Sequence, residues 1–132
     1  MTVGEIVRTG ITFLVLKGLS KTATAITKGT ISIFDTDGWG PAGAAAVGPH
    51  GIPMETVAAG AGQEVCAIMV AGNVNILKAA GVAYPQGTYV ESDASGAAVA
   101  WTTVGTVKTE VVGLVTKSSE AADTEQEVLL VP

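Results

Sequence analysis

The segment Glu64–Lys78, EVCAIMVAGNVNILK, constrains the fold more than any other stretch, because two apolar runs meet in it across Gly72-Asn73. That dipeptide suits a two-residue hairpin turn, since Gly takes positive φ without steric cost and Asn tolerates it. The turn predicts Ala71 opposite Val74, Met69 opposite Ile76 and Ala67 opposite Lys78 on one face, with Val70/Asn75 and Ile68/Leu77 on the other. Both faces come out mostly apolar. Such a hairpin cannot rest on a solvated sheet, so it belongs between two layers or in the wall of a small barrel.

What surrounds the segment is built from small and β-branched residues. Of 132 residues, 48% are apolar but only 5% aromatic and 14% charged, and 17 are Gly. Strands are favoured over helices by that mixture. The length fits one domain, residues 1–132, able to bury a core without staples. Low charge and a positive mean hydropathy leave apolar side chains in excess of the core's needs. Self-association or docking onto a larger surface is the natural remedy.

Charge is unevenly spread. Residues 1–28 hold Arg8, Lys17, Lys21 and Lys28 against Glu5, a net +3, and the remainder carries −8. An acidic body offers no Lys/Arg face to displace phosphate counterions, which argues against nucleic acid as partner. The basic beginning suits an acidic protein surface. No window is long and clean enough for a membrane span, since Val65–Tyr84 is interrupted by Asn73, Asn75 and Lys78. The apolar run Ile11–Leu16 is stopped by Lys17 before it reaches the length of a signal peptide.

Turn chemistry divides the chain into short strands. Ile11–Leu16 is a β-prone run that could pair with another chain as readily as with its own, and residues 1–22 form a candidate N-terminal arm. Ile31–Phe34 is closed by Asp35-Thr36-Asp37-Gly38, in which Asp caps backbone N–H groups and Gly supplies positive φ. Trp39–Pro53 reads as one long loop, with four Gly, three Pro and four Ala. Tyr89–Glu91 and Ala98–Thr103 form a second hairpin around Ser92–Gly96, with Trp101 read as core. Glu110–Lys117 is a strand with Gly113 as a bulge or close-approach point, and Glu127–Val131 is the last strand.

No constellation of catalytic, cofactor-binding or metal-ligating residues emerges. Gly38-Trp39-Gly40-Pro41-Ala42-Gly43 matches G-x-G-x-x-G, but Gly48-Pro49 halts the segment before a helix could receive a pyrophosphate. Asp35 and Asp37 hint at a calcium loop, yet Trp39 and Ala46 fall where ligands are required. His50 is the single histidine and Cys66 the single cysteine; the first lies in a Gly/Pro loop and the second among apolar neighbours. Glu120, Asp123, Glu125 and Glu127 lie on a polar loop and its following strand, where carboxylates are ordinarily solvated. The residues best suited to touch a partner are Arg8, Phe13 and Lys17 in the arm, with Trp39 and Pro41 in the loop, where Trp39 reads equally as a contact anchor or as a packed lid.

From Gly62 onward the run GQEVCAIMVAGNVNILKAAGVAYPQGTYVESDASGAAVAWT, followed by VVGLVTKSSEAADTEQEVLLVP, resembles the small β-rich decoration, or cement, proteins of tailed-phage capsids and prophages. A Gly-separated apolar hairpin, an Ala-rich connection, a G-[DT]-x-V strand, a short hairpin, a V-G-x-[AV] strand and a final V-x-L strand follow in that family's order. The resemblance covers roughly the last 70 residues; the beginning matches less closely. It implies a tulip-like or barrel β domain, usually a homotrimer, on the capsid exterior. The partners it implies are the major capsid protein and copies of itself, the arm engages the coat, and no catalytic, cofactor or metal residues carry over.

The expectation is therefore an all-β domain, a small barrel, tulip-like body or compact sandwich with a long Gly/Pro-rich loop and an N-terminal arm. It would be a non-enzymatic decoration protein of the virion, made in the host cytoplasm, with no nucleic-acid or membrane partner. The alternative is a glycan or small-ligand binding β module whose site is lined by the Trp39 loop.

Overall fold

The structure is a computed structural model that describes residues 13–60, 62–102 and 108–130. Within them the chain is all-β, with one 3-10 turn at Lys108–Glu110. The strands are β1 (Phe13–Leu19), β2 (Ser32–Asp35), β3 (Gly38–Pro41), β4 (His50–Pro53), β5 (Val65–Leu77), β6 (Tyr89–Ser92), β7 (Ala98–Ala100), β8 (Gly113–Val115) and β9 (Glu125–Leu130). They form one antiparallel sheet in the order β3-β2-β4-β5-β9-β8-β6-β7, with β1 added on β5, and the sheet curls into a half-barrel.

β5 is the spine, and it corrects the expected hairpin. The chain does not turn at Gly72-Asn73; it runs straight through for 13 residues, with Gly72 at φ +112°. The reason is tertiary. A hairpin would pair the two apolar runs only with each other, whereas a continuous strand takes β1 and β4 on opposite edges of Ile68 and Met69 and β9 along Gly72–Leu77. Gly72 itself pairs with both Phe13 and Leu130. The two-sided apolarity remains real. Ile68 points into a cluster with Ile26, Trp39 and Cys66, while Met69 and Ile76 join Ile31, Ile52, Val90, Val112 and Val128 in the larger one.

The expected long loop also needs correction. Trp39–Pro53 contributes β3 and β4, which flank β2 on its two edges, so only Ala42–Pro49 is loop. Gly and Pro read as loop from composition, but Gly40 and Gly51 sit in strands where side chains from neighbouring segments occupy the space of a Cβ. The candidate arm divides as well. Arg8 lies outside the described residues, whereas Phe13–Leu19 pairs with β5 residue by residue, interrupted by a register shift at Leu14/Val15. The Tyr89–Ala100 hairpin forms as read, although Trp101 lies just beyond β7, half-buried, its backbone N–H donating to the Tyr89 carbonyl at 2.8 Å. Gly113 is a point of close approach, where a Cβ would collide with Val128 and the Leu129 carbonyl.

Candidate functional site

The first half of the sheet curls around Trp39. β2 and β3 form a tight hairpin across Thr36-Asp37, in which Asp35 Oδ1 accepts the Asp37 N–H at 2.9 Å. This places Phe34 opposite Trp39 with ring centroids 5.2 Å apart and planes inclined by 49°. The two aromatics have opposite fates. Trp39 is 5% exposed and Phe34 is 49% exposed. Trp39 is therefore packed, as the floor of the site, and of the two readings its Gly-rich surroundings allow it is not the projecting contact anchor. The hairpin returns to the end of β1, where Ser20 bridges Trp39 and the Lys21 N–H donates to the Trp39 carbonyl at 2.8 Å.

Between β1 and this hairpin the curl does not close along its length. An apolar groove of about 750 Å³ remains, lined chiefly by Leu14, Leu16, Phe34, Trp39, His50 and Val70. A second groove of about 490 Å³ continues it past Leu16, Lys17, Leu19, Phe34, Trp39 and Gln63. Leu14, Leu16 and Phe34 are each more than a third exposed, and on the face of β1 opposite Leu16 so are Val15 and Leu19, with exposed Val65 on β5 as the cross-strand partner of Leu19. Apolar surface thus continues over both faces of one strand, a pattern that marks docking surfaces.

Few charges lie near it. Lys21 and Asp35 form a salt bridge at the hairpin, and the Lys21 hydrogen bond, helped by the Asp37 N–H, holds the Asp35 carboxyl below its usual range. Asp37 is tied to the Thr22 hydroxyl at 3.2 Å. Lys17 is exposed on β1. His50 lies at the groove's far end, with Nε2 2.7 Å from the Ala46 carbonyl; burial pushes its pKa down, and that hydrogen bond opposes the shift. Cys66 is fully buried, and burial followed by the charge of Glu55 pushes its thiol pKa up. Its sulfur contacts the carbonyls of Glu55 and Ala67, so thiol and imidazole each engage backbone and not one another. Among the described residues no three His, Cys, Asp or Glu side chains are placed to hold a metal ion.

Of the residues singled out in the sequence, the structure brings Lys17 and Trp39 together at the second groove. Phe13 opens β1 opposite Gly72, and Pro41 ends β3 exposed, opposite Ser32 and outside both grooves. Sequence reasoning missed Leu14, Leu16, Phe34 and Val70. The available signal was Phe34, an aromatic directly before a D-T-D-G turn, which a tight hairpin sets opposite the residue following the turn's Gly.

Two other places hold polar groups. Lys78 is 3% exposed, with Nζ donating to the carbonyls of Asp123 at 3.0 Å and Ala79 at 3.2 Å and lying 5.6 Å from the Tyr84 ring centre. A polar pocket of about 310 Å³ lies outside β9, lined by residues that include Asn75, Lys117, Asp123, Glu125 and Glu127. There Asn73 at 2.8 Å and Thr116 at 3.0 Å donate to Glu127 and hold its carboxyl below its ordinary range. Comparison with protein-family models, with curated proteins and with solved structures finds no match to the chain.

Proposed function

We propose that this chain is a structural docking protein, and specifically a decoration protein that binds the outer surface of an assembled tailed-phage head and reinforces it. In this reading the partner is the major capsid protein, the chain acts as an oligomer, on the family pattern a homotrimer, and its location is the capsid exterior. The observation that carries the reading is the exposed apolar tract over β1 and Phe34. Leu14 and Phe34 are 49% exposed and Val65 is 61% exposed. A chain that leaves this surface uncovered gains by covering it, because each Å² of apolar area removed from water contributes about 25 cal/mol.

The β body supports the same use. The nine strands of the described residues give a sheet built largely of small side chains, and the resemblance of the second half of the sequence to the decoration proteins supplies the kind of surface it would sit on. Co-sedimentation with undecorated heads tests the proposal: the chain should pellet with them in a saturable, stoichiometric manner. Its absence from the pellet at every stage of head maturation refutes the proposal.

A further inference from the structure

The outer edge of β1 has a chemistry that specifies more than apolar contact. Alternate amides of this strand face opposite ways, since the Ser20 N–H donates to the Glu64 carbonyl at 2.8 Å and the Lys21 N–H donates outward to the Trp39 carbonyl at 2.8 Å. By that alternation the N–H and C=O groups of Val15 and Lys17 point away from β5. Among the described residues no strand pairs with them: β1 pairs with β5 alone, and β3 reaches the edge only at Ser20. Beside the edge lies the groove of about 490 Å³, floored by Trp39 and walled by Leu16, Leu19 and Phe34. A free edge flanked by exposed apolar side chains is a template for one more strand.

Lys17 decides whose strand that is. It is exposed, at the middle of the edge, and the salt bridge among the described residues belongs to Lys21 and Asp35. If two copies of β1 paired antiparallel through Val15 and Lys17, the two Lys17 side chains would lie opposite or diagonal to one another on one face. Like charges so placed are destabilising, and edge lysines serve in general to block such self-pairing.

We propose that the outer edge of β1 receives one extended strand of a different protein, apolar at alternate positions and carrying Asp or Glu opposite Lys17. The inference rests on the docking function above and names the chemistry of the partner's contact. Lys17 acts twice, rejecting a second copy and selecting an acidic strand.

The test uses the full chain and two synthetic seven-residue peptides alternating Val and Thr, one with Glu at its centre and one with Lys. Amide hydrogen exchange should slow at Val15 and Lys17 with the Glu peptide, which should bind roughly fivefold more tightly than the Lys peptide. Lys17→Gln keeps the amide and loses the charge, so it should bind both alike. Lys17→Pro removes an N–H that the β5 ladder does not use, so it should keep its melting temperature and bind neither. Should Lys17→Pro not fold, Lys17→Gln still decides the role of the charge. Unslowed exchange at Val15 and Lys17 in the native chain, or equal binding of the two peptides to it, overturns the proposal. Heads separate this from the wider reading. If Lys17→Pro decorates heads as the native chain does, docking stands and the edge is not its means; if the native chain binds the Glu peptide but no head, the edge stands and the capsid reading falls.

Discussion

Gly51 lies so close under the indole of Trp39 that a Cβ at residue 51 would stand 2.7 Å from Trp39 Cζ3 and 2.5 Å from Ile68 Cγ2. Gly18 meets the other end of the same indole, with a Cβ there 2.5 Å from Trp39 Cδ1. The two glycines make the slot in which the aromatic floor of the groove lies, and neither neighbour can yield without moving the ring or a buried isoleucine. Gly51→Ala is therefore expected to cost about 1–3 kcal/mol, as overpacking does. Urea denaturation measures it as a lowered midpoint at unchanged slope, and an unchanged midpoint would show that the ring is free to shift.

Phe34 offers the converse case. It is half exposed and its main internal contact is the tilted pair with Trp39. Phe34→Ser should lower stability by about 1 kcal/mol, the order of an aromatic pair. It should also reduce binding to heads by at least tenfold, at the scale of an interface anchor. Stability and binding falling together by the same small amount would mean that Phe34 supports the sheet and does not touch a partner.

Much of this was legible in the residues, though not all. The strand-rich class, the D-T-D-G turn, the Tyr89–Ala100 hairpin and the two-sided apolarity of the central segment follow from local chemistry, and the structure has each of them. What failed was the reading of Gly72-Asn73 as a reversal and of Trp39–Pro53 as loop. Positive φ at Gly72 is present, but a single such residue serves a through-running strand as well as a turn. The choice was made by β1 and β9, which arrive from far along the chain to pair with both ends of β5. Gly51 likewise looks like a loop residue until Trp39 is placed across it. The groove was not legible because it belongs to the space between β1 and the β2–β3 hairpin, and no local pattern encodes that space.

His50 gives the fold a pH dependence. Its folded pKa lies below the ordinary 6.5 because burial disfavours the imidazolium. The unfolded chain therefore binds the proton more readily. Stability from this group is intact above pH 6.5 and declines as pH falls below it, the loss being complete once pH passes the folded pKa. Melting temperature measured from pH 7.5 down to 5 should fall in the native chain and fall less in His50→Gln. Identical profiles would place the dependence elsewhere.

Lys78 ties the end of β5 to the acidic loop through the Asp123 carbonyl. Lys78→Ala leaves two carbonyls without their donor and should cost about 2 kcal/mol. Exchange should also quicken at the Lys78 amide, which bonds the Thr124 carbonyl at 2.9 Å. Lys78→Met, which retains the apolar stem against Tyr84, should be the milder change. Equal losses in the two variants would assign the effect to the lost hydrogen bonds alone.

Image reconstruction of undecorated tailed-phage heads incubated with the purified chain tests the docking role most directly. The account predicts added density outside the shell at threefold-related positions, with the β1 edge and Phe34 turned toward the coat. Bare shells at every maturation stage, at chain concentrations well above those of the coat subunits, would contradict it.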